Sequence, residues 1–308
     1  MHNLFVITGR GDAAGCNIAQ PSFLPAGNPL SGQGGNPNII FRIPTPTFGA
    51  GLIEAIPDSA ILANMKADAS PKAHMGISGH PNAHLSGNAN RSANDGTITR
   101  FGWKAQNKSL LMFAGEAYNV EMGISNQLFP QERETDPGCA TNPTPEDHSN
   151  IATNTPSDLD LFTAFMRYLA PPPPPRPGPP SVQNGAQVFT SLGCNLCHTP
   201  TFQTSPNTTA ALSDQRVFLF SDLALHRMGQ ALADGVQQGS ARGDEFRSAP
   251  LWGLGDRLFF LHDGRSRDLL ETIQLHDSPG SEAHQVIQNF SALPAQSKQD
   301  LLNYLRTL

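Results

Sequence analysis

The sequence predicts a mainly α-helical chain in two parts, a loop-rich first domain and a more regularly helical second one. Three observations carry that reading. Residues 1 to about 156 are rich in Gly, Asn, Pro and Thr and hold few long periodic segments. Apolar stripes at helical spacing gather after residue 181. Between the two lies PPPPPRPGPP at 171–180, an extended and semi-rigid run whose ten residues span roughly 30 Å at ~3.1 Å each. The expected division is 1–170, an N-terminal domain; 171–181, a polyproline linker; and 182–308, a helical domain.

The totals narrow the function classes. A chain of 308 residues suits two domains and can bury a proper core. A net charge of −6 and the absence of a Lys/Arg-rich run argue against nucleic acid as a partner. The longest apolar runs fall far short of the ~20 residues a membrane span requires. Charged residues make up only 15%, against 28 Gly and 27 Pro, so much of the chain is expected to be loop held by its neighbours.

In chain order, Gly49 to Asn64 reads as a short apolar element interrupted by Pro57. His74, His80 and His84 fall in a Gly- and Asn-rich stretch that reads as an exposed loop. Arg100 to Gly123 carries a helix-compatible stripe of Phe101, Trp103, Leu110, Leu111, Phe113, Ala114 and Ala117. Ser157 and Asp160 form a capping box for the next helix. Its apolar face is expected to be Leu161, Phe162, Phe165, Met166 and Leu169, with Pro171 as the stop. Beyond the linker, Val182 to Ser191 forms a short helix and Ser221 to Ala233 carries a further apolar stripe. Asp268 to Leu275, Glu282 to Phe290 and Pro294 to Leu308 read as helices. Pro294 suits a first helical position, and Leu301, Leu302, Leu305 and Leu308 make a buried face.

The motif that carries chemistry is Cys194-Asn195-Leu196-Cys197-His198, read C-x-x-C-H, the attachment signature of a c-type haem. Two thiols three residues apart reach the two vinyl-derived carbons on one edge of a porphyrin, and the adjacent His198 supplies an axial ligand to the iron. Zinc would need a second ligand pair, and neither Cys16 nor Cys139 has a Cys or His two residues away. A redox C-x-x-C wants a βαβ context, which the flanks do not offer. With a helix before the motif and another at the C-terminus, residues 182–308 read as a cytochrome c-like haem domain.

Met228, 30 residues beyond His198 and before the flexible Gly229, is the expected second axial ligand. His226, His262, His276 and His284 stand as rivals for bis-His ligation. Arg265, after the Asp263-Gly264 turn, is placed to pair with a haem propionate through two parallel hydrogen bonds. Arg247 and Trp252 sit in a similar apolar context and are candidates to line the pocket. Cys16 and Cys139, spare in an oxidising compartment, are expected to form a disulfide.

Several runs resemble the dihaem oxidoreductase family, whose members are labelled thiol oxidoreductases or peroxidases and are similar in plan to bacterial dihaem cytochrome c peroxidases. They are Cys194–His198, Ser221–Gly229, Phe246-Arg247-Ser248-Ala249-Pro250-Leu251-Trp252-Gly253-Leu254-Gly255 and Leu261-His262-Asp263-Gly264-Arg265. Arg100–Ala105 and Glu121–Ile124 extend the likeness to the first half. The resemblance implies a C-x-x-C-H in each half, whereas this sequence has one. It makes the haem at His198 and Met228 an electron relay and the missing N-terminal haem the site of peroxide cleavage. Trp103 would then sit between two haems, Glu121 would be the acid that helps break the O–O bond, and Met122 would be an axial ligand. A small cytochrome or cupredoxin-type donor is the implied partner. A plain electron carrier without substrate chemistry is the alternative.

Covalent haem attachment in bacteria takes place outside the cytoplasm, so the expected location is periplasmic or otherwise extracytoplasmic. Met1 to Ile7 lacks a basic n-region and has an apolar run of only four, so no export signal is expected in this chain. Either a signal has been removed, or, as the resemblance with its C-x-x-C-H in each half implies, the chain is a fragment that begins just after a first haem site. A calcium site is left open by the sequence.

Overall fold

The computed structural model describes residues 8–10, 13–17, 40–83, 97–134 and 136–308, so His84 lies outside the described residues. Among these residues the chain is mainly helical. The helices are α1 (Ala50–Ala55), α2 (Asp58–Lys66), α3 (Ala69–Met75), α4 (Leu110–Glu121), α5 (Asp158–Tyr168), α6 (Pro180–Ser191), α7 (Leu269–Gln274), α8 (His284–Ser291) and α9 (Ala295–Leu305). Strands occur as short antiparallel pairs: β1 (Thr8–Arg10) with β2 (Ala13–Asn17), β3 (Asn82–Ala83) with β4 (Ile98–Thr99), β5 (Phe202–Gln203) with β6 (Arg216–Val217), and β7 (Leu225–Arg227) with β8 (Glu245–Arg247). No helix among the described residues is long and apolar enough to cross a membrane.

Contacts divide the chain into two compact units. One comprises Met1–Arg42 and Leu111–Ala164, the other Ile43–Leu110 and Phe165–Leu308. In the first, Cys16 and Cys139 form a disulfide across 123 residues. Ser157 and Asp160 form a reciprocal cap at the start of α5. The Ser157 hydroxyl lies 2.8 Å from Asp160 Oδ2 and accepts from the Asp160 N–H at 3.1 Å. The Asp147 carboxylate accepts from the N–H groups of Asp158 and Leu159, satisfying two more open donors of that first turn.

The buried face of α5 corrects the sequence reading. Leu159, Thr163 and Met166 are buried at i, i+4, i+7, while Leu161, Phe162 and Phe165 are exposed. Aromatic content drew the expected stripe toward the wrong side. Residues 100–109 also differ from expectation. Instead of extending α4 backward they form a tight turn, in which Phe101 pairs with Asn107 and Gly102 and Ala105 take φ of +84° and +49°. A helix cannot pass through two left-handed residues.

In the second unit, Pro57 stands as the N-cap of α2, which is why the apolar element at 49–64 becomes two helices. Pro180 opens α6, Pro294 is the N-cap of α9, and the Asp268 side chain caps α7 by accepting from the Glu271 N–H. α6 and α9 cross at Gly185. A Cβ there would lie 2.1 Å from the Asp300 carbonyl oxygen and 2.6 Å from Tyr304 Cβ, so only glycine permits the approach. Above this crossing Phe189, Leu192, Leu196, Phe290, Leu301 and Leu305 form one buried apolar cluster. The stripe at 221–233 is not a helix. It is irregular, with Leu223 at φ +61°, and is a strand only at Leu225–Arg227; Leu223, Ala224, Leu225 and His226 are buried as the chain enters β7.

Candidate functional site

α6 leads directly into the C-x-x-C-H motif. Gly193, at φ +91°, lets the chain leave the helix and turn into a short 3₁₀ segment, Cys194–Leu196. The His198 N–H then donates to the Cys194 carbonyl at 2.9 Å, closing the turn. Cys194, Cys197 and His198 thereby line one cavity of about 530 Å³ within the second unit. Cofactor sites typically occupy roughly 300–1,000 Å³. The walls are largely apolar, with Ile77, Phe189, Leu254, Phe260, Leu269 and Phe290 among them.

The chemistry of the donor set fits a covalently held haem. Both thiols are unpaired. Burial, and then the neighbouring Cys197, push the Cys194 thiol up to about 12. His198 Nδ1 lies 3.1 Å from the Phe220 carbonyl oxygen. A carbonyl only accepts, so Nδ1 carries the proton and Nε2 keeps its lone pair. Burial first, with help from the charge of His276, brings His198 down to about 4, which holds it neutral as a metal ligand must be. Among the described residues no group of three or more His, Cys, Asp or Glu side chains is arranged to hold a bare metal ion.

Met228 also lines the cavity, directly after β7. Its N–H donates to Asp244 O at 2.8 Å, and the next residue, Gly229, has φ +72° with Pro279 O only 2.6 Å from where a Cβ would stand. The rival histidines separate. His226 is held at both ring nitrogens, by Asp222 Oδ2 at 3.0 Å and Glu282 Oε2 at 2.9 Å, and Cys197 Sγ lies 3.7 Å from Nδ1. His284 is exposed, paired with Asp277, and absent from the lining. His262 lines the cavity, stacked on Phe246 at 4.2 Å between ring centroids. His276 lines it too, with Nδ1 2.7 Å from the Thr272 carbonyl oxygen, so its Nε2 is likewise bare.

The His226 group is a buried charge cluster that sequence reasoning missed. Burial opposes a charge on His226, but Cys197 and Asp222 together hold its pKa well above the usual value. Burial would raise Glu282, yet hydrogen bonds and charge from His226, with Ser78, bring it down to about 2. Glu282 also accepts from the Ser78 N–H at 2.9 Å, tying the start of α8 to the segment after α3. The four-residue spacing of Asp222 and His226 was visible. Nothing local in the sequence points to Glu282, which stands 56 residues further on.

The remaining expected residues fall as follows. Trp103 lines the cavity, its Nε1 donating to Ile43 O at 2.7 Å, and it meets His262 edge-on. Arg247 lines the cavity as expected of it, whereas Trp252 is buried against Phe48 and is not part of the lining. Arg265 is also outside the lining. Asp263, two residues earlier, captures its guanidinium at 2.6 Å, and the Ala231 carbonyl takes a further N–H. Glu121 and Met122, at the end of α4, are exposed residues of the first unit. Arg257, which no sequence signal singled out, joins Arg247 in the wall.

A family model described as "Di-haem oxidoreductase, putative peroxidase" matches residues 37–308. Among solved structures, a MauG-like protein associated with microbial copper homeostasis aligns at 16% identity over 87% of this chain and 91% of its own, with a TM-score of 0.38. Hydrazine synthase from Kuenenia stuttgartiensis, pressurised with xenon, aligns at 16% identity over 100% of both chains, with a TM-score of 0.37. The search of curated proteins found no match.

Proposed function

Because the chain belongs to the di-haem oxidoreductase family, we propose that it is a c-type cytochrome carrying electrons through one haem bound covalently at Cys194 and Cys197, as part of a peroxidase-like oxidoreductase. The observation that carries this reading is the gathering of two free thiols, a tautomer-fixed neutral imidazole and a thioether on one apolar cavity. A bound haem supplies an iron that takes up and releases one electron.

The residues have distinct tasks. Cys194 and Cys197 clamp one edge of the ring. His198 offers Nε2 to the iron, while the Phe220 carbonyl holds its tautomer and orientation through Nδ1. Met228 would be the further residue to hold the iron, and a thioether there would raise the reduction potential relative to a second imidazole. The apolar walls keep water from the ring. Held by both residues, the iron here would serve as an electron relay rather than a peroxide site; peroxide chemistry would fall to a second haem, for which Trp103 and Glu121 are each carried as candidate residues. A small cytochrome or cupredoxin-type protein is the proposed donor, the periplasm or another extracytoplasmic space the proposed location, and calcium a cofactor to be assayed.

One observation favours a second reading of the axial pair: His276 also presents a bare Nε2 to the cavity. Near-infrared spectra of the oxidised protein decide between them. A Met-type charge-transfer band that disappears in Met228→Ala supports His198/Met228. A band unchanged in Met228→Ala, or a bis-His spectrum lost in His276→Ala, overturns it. Peroxide added to the partly reduced chain is expected to leave its spectrum unchanged; a high-spin signal or a peroxide response would show an open iron at this site and contradict the His198/Met228 assignment.

A further inference from the structure

Two guanidinium groups stand in the cavity wall without an anionic partner. Arg247, in β8 and 7% exposed, donates from Nε to the Gly102 carbonyl at 3.0 Å and from Nη1 to the Ser248 carbonyl at 3.1 Å. Arg257, just past the 3₁₀ turn Leu254–Asp256, donates from Nη2 to the carbonyls of Pro250 and Trp252 at 2.9 and 3.0 Å. Its Nε is buried with no hydrogen-bond partner at all. Neither arginine forms an ion pair with a carboxylate among the described residues. Each guanidinium has five N–H donors, so carbonyl contacts leave donors unspent on both.

This arrangement is costly as it stands. Burying cations without a counter-charge is strongly unfavourable. Burial is the main influence lowering both groups, Arg247 to about 10, and the charge of Arg257 adds to the effect on Arg247. Asp222 works in the opposite direction on Arg247, but its oxygens are already engaged by His226, Ser248 and the Ala224 N–H. A cavity with a broad apolar body and two under-used guanidiniums fits a flat apolar ligand with carboxylates on one edge. Guanidinium recognises carboxylate through paired, charge-assisted hydrogen bonds.

We propose that Arg247 and Arg257 form the carboxylate-binding end of this cavity, holding the propionates of the haem in their ionised form and thereby tuning its reduction potential. The inference rests on the haem reading above. It takes the place that Arg265 held in the sequence reading, because Arg265 is spent on Asp263. Neither arginine is an iron ligand, so both act on the redox centre through charge and position.

Reduction lowers the charge of the haem by one, so a nearby cation favours the reduced form and an ionised carboxylate the oxidised form. Removing the Arg257 charge therefore lowers the potential while the propionate is ionised. It also raises the propionate pKa, so at lower pH the variant's carboxylate is neutralised, offsetting the lost cation. The other titratable groups in the wall or against it are His198, His226 with Asp222 and Glu282, His262 and His276. They are common to both proteins, so the difference between the two curves reports the propionate.

The test is potentiometric titration of holo-protein, wild type beside Arg257→Gln and Arg257→Lys, from about pH 8 to about pH 5, across the range of perturbed carboxylates. The expected result is a lower potential for Arg257→Gln at high pH, a gap that shrinks as pH falls, and restoration toward wild type by Arg257→Lys. Parallel curves for wild type and Arg257→Gln overturn the proposal, because a structural cation would leave no pH-dependent gap. Red wild-type protein with parallel curves sinks this inference alone, whereas wild-type protein without covalent haem sinks the haem reading with it. Arg247→Gln, whose backbone contacts are more deeply buried, is the second variant and is expected to show the same converging gap.

Discussion

At the level of single residues, adjacency made the proposed haem-binding residues legible and distance hid what packs around them. Cys194, Cys197 and His198 were readable because a five-residue motif fixes their geometry almost regardless of context. Glu282 was not, because it reaches His226 only through the folded chain. Its carboxyl sits with His226 and Ser78 and is 3% exposed, and removing one partner of a buried pair typically costs about 3–5 kcal/mol. Glu282→Gln is expected to destabilise the holo-protein by about 3 kcal/mol on that basis, read from urea denaturation. The pH dependence has a definite sign. A carboxyl brought from 4.5 to about 2 contributes stability that is complete above its ordinary value and lost as pH falls toward 2. Acid unfolding of Glu282→Gln should therefore be shallower than that of wild type across this window. Equal slopes would show that Glu282 carries no such linkage.

Among elements, the caps and prolines were legible and the faces less so. Ser157, Asp268 and Pro294 mark helix starts by chemistry that acts within one turn, so the sequence suffices to find them, whereas Pro180, read as the end of the linker, opens α6. Which side of α5 is buried depends on what packs there, and counting aromatics chose Phe162 and Phe165 over Leu159 and Thr163. The crossing of α6 and α9 turns on Gly185, whose importance only the partner helix reveals. Gly185→Ala places a methyl group against the Asp300 carbonyl. Overpacking of this kind usually costs about 1–3 kcal/mol, so thermal unfolding of the variant should fall by several degrees; an unchanged midpoint would mean the helices separate without cost. Ser157→Ala removes the cap of α5 and is expected to cost about 1 kcal/mol, whereas Leu161→Ala on its exposed face should cost less than half as much. Denaturation of the two variants side by side checks the corrected face.

For the molecule as a whole, the helical class was legible from periodicity and the haem from one motif. The grouping of Ile43–Leu110 with Phe165–Leu308 was not, since it depends on contacts between segments far apart in sequence, such as Arg247 with Gly102 and Ile43 with His262. The disulfide joins two cysteines of the first unit that stand 123 residues apart in sequence. The loop-entropy estimate gives it up to about 4–5 kcal/mol, so reduction should add two hydrogens to the mass and lower the denaturation midpoint; no mass change would mean the cysteines are free. The central claim is that Cys194 and Cys197 hold a haem covalently beside His198. It is tested most directly by intact mass and haem staining after acid–acetone extraction of protein made with a haem-maturation system. The expected result is one haem added to the chain, retained through extraction, and lost when Cys194 and Cys197 are both replaced by Ala. A chain of apo mass that runs colourless contradicts the account.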